Sequence, residues 1–74
     1  MRLTLESTTK LIEINGVPAR VWEGATESGI AVFAFVTRVA VHEDADRSQF
    51  EAELEAHRPP RNPDIDAIPN RLVL

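Results

Sequence analysis

Seventy-four residues, 43% hydrophobic and 27% charged, make a single globular domain with no second core and no disordered character. The absence of cysteine excludes disulfides and thiolate-bound zinc and fits a reducing compartment. A chain this short buries only about 60–65% of its unfolded surface, so it must rely on ordered packing or a partner subunit. The net charge of −4 argues against a general nucleic-acid binder, MRLTLESTTK lacks the apolar run of a signal peptide, and Ile30 to Val36 is too short for a membrane span of ~20 residues. A soluble, cytoplasmic domain is expected.

Asn15-Gly16, between KLIEI and VPARVW, is the preferred pair for a two-residue type I′ turn and predicts a β-hairpin. The register follows: Ile14 faces Val17, Glu13 faces Pro18, Ile12 faces Ala19, Leu11 faces Arg20, and Thr9 faces Trp22. One face then carries Ile12, Ile14, Val17, Ala19 and Val21, and the other Leu11, Glu13, Arg20 and Trp22. Pro18 cannot donate to a ladder, so its N side is expected to face outward or sit at a bulge. Gly24 to Gly29 reads as a polar loop. Ile30 to His42, IAVFAFVTRVAVH, reads as a long strand, apolar on both faces in its first half and therefore central and covered on both sides. A second subunit or the folded-over C-terminal segment is the expected cover.

The period changes at Asp46. Asp46-Arg47-Ser48-Gln49 and Ser48-Gln49-Phe50-Glu51 are overlapping capping boxes, and Pro59-Pro60 stops the helix, placing it over about residues 46–57. The acidity of the chain is concentrated here: Glu43, Asp44, Asp46, Glu51, Glu53 and Glu55 face Arg47 alone, whereas residues 1–42 balance. RPPRNPDIDAIP then reads as an extended arm, and Asn70 to Leu74 as a short strand or clasp. The fold class is α+β: a three- to four-stranded antiparallel meander over residues 2–42, one short helix, and an extended Pro-rich arm with a terminal strand over 58–74.

Little in this pattern supports catalysis. Ser7, Ser28 and Ser48 lie outside any nucleophile elbow, and three glycines form no phosphate-cradling loop. Asp44, Asp46, Ser48 and Glu55 match positions 1, 3, 5 and 12 of a calcium loop, but Gln49 stands where the sharp turn requires Gly, and the same residues read as a helix start. His42 and His57 have no spacing that makes a zinc site. No cofactor is expected.

Arg20, Trp22 and Arg38 form the candidate binding constellation, with His42 at the polar end of the same strand as Arg38. An indole beside guanidinium groups suits a flat or anionic ligand, and equally the anchor of a protein interface. The plainer alternative makes Trp22 core and pairs each Arg with Glu13 or Glu23. Arg58 and Arg61, on the Pro-rich segment, are positioned to reach across a subunit boundary or close over a ligand.

The stretch Ser7 to Leu54, through NGVPARVWEG, GIAVFAFVTRVAVHED and SQFEAEL, resembles small uncharacterised proteins encoded by tailed phages and prophages. That family supplies no activity to carry over. The resemblance implies context: an accessory factor that acts by binding, such as an inhibitor of host defence, a sponge for nucleotide signals, a regulator or a minor virion part. The expected function is a homo-oligomeric, non-enzymatic protein that inhibits or sequesters a host protein or a small anionic nucleotide. The alternative is a structural subunit or assembly factor of a larger particle.

Overall fold

The computed structural model describes residues 1–74. Two long strands, β1 (Leu3–Ile14) and β2 (Val17–Thr26), form the predicted hairpin. Asn15 and Gly16 both hold positive φ, 49° and 83°, as a type I′ turn requires. A third strand, β3 (Ala31–Val36), pairs antiparallel with β2. Helix α1 (Arg47–Leu54), the single-turn α2 (Pro63–Asp66) and the two-residue β4 (Arg71–Leu72) complete the chain, and the sheet order is β3-β2-β1-β4. The antiparallel meander therefore holds for three strands, while β4 lies parallel to β1, with Glu13 opposite Arg71 and Ile14 opposite Leu72.

The register matches expectation from the turn back to Leu11–Arg20 and then departs from it: Ser7, not Thr9, faces Trp22. A bulge between Ser7 and Leu11 inserts extra residues into β1. The buried Thr8 repairs the ladder it interrupts. Its hydroxyl donates to the Val21 carbonyl (2.6 Å) and accepts from the Lys10 N–H (3.2 Å), and Arg20 donates to the Thr8 carbonyl (2.8 Å). The expected loop at Gly24 is also displaced, because β2 runs on to Thr26.

The strand predicted over 30–42 ends at Val36 and lies at the sheet edge, not its centre. Pro18 explains where it stops. The Thr26 N–H donates to the Ile30 carbonyl (2.9 Å), so by the alternation of an antiparallel ladder the even residues of β2 bond toward β3. Arg20 is the last of these opposite β3, facing Val36; the next would be Pro18, which has no N–H to give.

Asp46 caps α1, accepting from the Gln49 N–H (3.1 Å), so the first of the two capping boxes is the one used. The helix ends at Leu54, short of the predicted His57, and buries no residue, so it does not cover a sheet face. That role falls to the Pro-rich segment, which is a packed lid and not an extended arm. Arg58 bridges to Thr8 along the outer edge of β1, and the Asn62 side chain caps α2, accepting from the Asp64 N–H (2.9 Å). Ile65 then packs on Ile12, Ala19 and Val21, flanked by Ile14, Ile68 and Leu72. The clasp predicted at the C-terminus is present: the Asn15 side chain accepts from the Leu74 N–H (2.9 Å) and donates to its carbonyl (3.3 Å).

Ile65 is 0% exposed and is the only lid residue among the four that form the core. Ile65→Ala should therefore cost ~2–4 kcal/mol, read as a lower denaturation midpoint, because cavity creation adds to lost burial. A change below 0.5 kcal/mol would show that the lid is not part of the core.

Candidate functional site

The sheet face opposite the lid carries Trp22 and Arg20 from β2, Ser7 and Leu11 from β1, and Val36 from β3. The chain leaving β3 and the end of α1 wall it in. The result is a groove of about 630 Å³, with Trp22 and Arg20 beside Leu11, Val36, Arg38, Val39 and Leu54. Seven of its thirteen lining residues are hydrophobic. Trp22 is half-buried there, so it belongs to this groove and not to the core under the lid.

The structure brings together Arg20, Trp22 and Arg38, as the sequence pattern predicted. Their availability differs. Arg20 is tied to the Thr8 carbonyl in the bulge, whereas Arg38 is exposed and has no hydrogen bond or ion pair. Neither pairs with Glu13 or Glu23; those carboxylates take Arg71 (3.1 Å) and Arg58. His42 stands outside the groove, exposed, its Nδ1 accepting from the Asp44 N–H (3.3 Å).

Arg58 and Arg61 lie on the other side of the sheet, around a second cleft of about 440 Å³ that also holds Glu6, Glu23 and Phe33. This cleft is organised by Glu23, which sequence reasoning placed only as a neighbour for the strand arginines. The Glu23 carboxylate is 7% exposed; it accepts from the Arg58 guanidinium and from the backbone N–H groups of Arg61 (2.7 Å) and Asn62 (3.2 Å). Arg58 also donates to Glu6 (2.9 Å). Burial pushes the Glu23 carboxyl up, but the Arg58 hydrogen bond and the two amides outweigh it and hold the group below its ordinary value of 4.5. The hydrogen bond from Arg58 lowers Glu6 as well, and the same contacts, Glu23 first, raise Arg58. Arg58 is thus consumed by the fold. No sequence pattern announced this hub, since Glu23 and Arg58 lie 35 residues apart.

Two further arrangements bear on chemistry. Ser7 Oγ lies 3.1 Å from His57 Nδ1 and also donates to the Ala56 carbonyl (3.4 Å). Both contacts fasten the end of α1 to β1, and no carboxylate hydrogen-bonds the imidazole as the third member of a triad would. No group of three or more His, Asp or Glu side chains is gathered to hold a metal ion; of the residues matched against a calcium loop, Asp44 lies in a turn, Asp46 and Ser48 at the capped start of α1, and Glu55 at its opposite end. No helix is long and apolar enough to cross a membrane. Comparison with family models, with curated proteins and with solved structures returned no match.

Proposed function

We propose that the protein is a non-enzymatic binding module whose Trp22 groove receives an apolar or aromatic segment of a partner protein, with Arg38 pairing an acidic group at the rim. The observation that supports this is the balance of the groove: a half-buried indole and six other hydrophobic residues against one uncommitted guanidinium. A nucleotide carrying several phosphates calls for converging cations. Here Arg20 is bonded to backbone, and Arg58 and Arg61 lie beyond the sheet. The wider role, an accessory factor acting on a host component, rests on the phage-protein resemblance of Ser7 to Leu54.

Trp22 is the only tryptophan, so its emission reports groove occupancy directly. Short peptides pairing an aromatic with an acidic residue should shift that emission, and nucleoside phosphates should not. Against the same peptide, Leu11→Ala should weaken binding about tenfold, as loss of apolar anchor surface does, and Arg38→Ala only a few-fold. A response to nucleoside phosphates that collapses with salt and with Arg38→Ala would overturn the peptide reading in favour of an anion site.

A second reading, a subunit of a larger particle, is favoured by one observation: only 6 of 74 residues are buried, and large side chains such as Leu11, Ile30 and Val39 are exposed. It predicts open-ended association of the isolated chain, where a binding module forms a closed species.

A further inference from the structure

We propose that β3 is the interface of a symmetric dimer, in which two copies pair antiparallel about Ala34 and join their four-stranded sheets into one of eight strands. The outer edge of β1 is covered by Arg58 and β4, while β3 is the long open edge. Edge strands are normally blunted by charge, proline, a bulge or a covering segment. From Ile30 to Val36 there is no charge and no proline, the register against β2 is unbroken, and no backbone hydrogen bond from another segment reaches Phe33 or Phe35.

The occupant is identified by the strand's own symmetry. Val32-Phe33-Ala34-Phe35-Val36 reads the same in both directions. Antiparallel pairing about Ala34 therefore sets Phe33 against the partner's Phe35, Val32 against the partner's Val36, and Ala34 on the two-fold axis. Such an interface is isologous and closes at two copies.

The hydrogen bonding agrees with this register. Because the Thr26 N–H bonds the Ile30 carbonyl, even residues of β3 address β2, and Phe33 and Phe35 direct their N–H and C=O groups outward. In the proposed register these outward residues face each other and exchange both bonds, while Ala34 forms the non-bonded pair. Shifting it by one residue would oppose outward to inward groups. Phe33 and Phe35 are 38% and 39% exposed, and cross-strand aromatic pairs are the side-chain contacts such a seam favours. The axis stands perpendicular to the sheet, so both Trp22 grooves open on the same side, three strand spacings or about 14 Å apart.

The chain has no cysteine, which makes crosslinking a direct readout of register. Cα atoms of a non-bonded antiparallel pair lie about 4.5 Å apart, within the ~4.4–6.8 Å that a disulfide spans. Ala34→Cys should oxidise to a covalent dimer, whereas Val32→Cys, whose two copies would be roughly 14 Å apart, should not. The unmodified protein should sediment at twice the 8.2 kDa of one chain. A mass of 8.2 kDa throughout the concentration range, or crosslinking of Val32→Cys as readily as Ala34→Cys, would overturn the proposal.

Discussion

Gly24→Ala is expected to detach the N-terminal half of β1 from the sheet. Gly24 lies opposite Leu5 in the β1–β2 ladder, and a Cβ added there would stand 1.8 Å from the Thr4 carbonyl oxygen and 2.9 Å from the Leu5 Cα. Both obstacles are backbone, so no side chain can rotate away. Overpacking of movable groups costs about 1–3 kcal/mol. Displacing a strand should exceed that, in a domain whose whole stability is on the order of 4–11 kcal/mol. Amide exchange of Leu3 to Glu6 should become fast, and the denaturation midpoint should fall or the transition disappear. An alanine variant with wild-type exchange in that stretch would mean that the strands are spaced more widely there.

Replacing the carboxylate hub should weaken the fold and also change how it responds to acid. In Glu23→Gln the side chain keeps its shape but has one acceptor oxygen for three donors: the Arg58 guanidinium and the N–H groups of Arg61 and Asn62. The loss should be about 3 kcal/mol at neutral pH, because a buried donor–acceptor set is left incomplete. Glu23 and Glu6 are both held below the ordinary carboxylate value of 4.5 in the folded chain. Their contribution to stability is therefore fully present above that value and is lost as pH falls through the lower, folded value. Denaturation of the wild type from pH 8 to pH 3 should show stability level at the alkaline end and falling below about pH 4.5. Glu23→Gln should start lower and fall less, retaining only Glu6's share. An unchanged acid slope in the variant would remove Glu23 from this role.

These positions show what kinds of information the sequence carries. The Asn15-Gly16 turn was legible because a two-residue hairpin depends on the conformational freedom of two adjacent residues, and the register followed as far as Leu11. The bulge was not legible, because the hydroxyl that replaces a ladder bond comes from Thr8 and the carbonyl it serves belongs to the opposite strand. The apolar run of β3 indicated a need for cover, which says nothing about strand order; its length was set by Pro18 on the neighbouring strand.

The candidate site divided in the same way. Trp22 and Arg20 could be placed on one face from strand parity, whereas Arg38 lies beyond the end of β3 and reaches the groove on the chain leaving that strand. The separation of Arg58 and Arg61 from them could not be read, because it depends on which side of the sheet the lid crosses. Proline content said nothing of where that segment lies: Ile65, between Pro63 and Pro69, is fully buried against the sheet.

The lid also dictates an order of assembly. The β1–β2 hairpin closes a two-residue turn and β3 adds next to it, so three strands can form from neighbouring chain. Every fastening of the lid instead closes a large loop, with a sequence separation of 52 for Arg58 and Glu6 and of 59 for Asn15 and Leu74. Long-range closures carry their entropic penalty before any contact offsets it. Contact separation therefore favours pairing of the meander ahead of lid docking, an order in which Ile12, Ala19 and Val21 are covered last. Folding is then a race between docking of the chain's own lid and capture of that apolar sheet by another molecule.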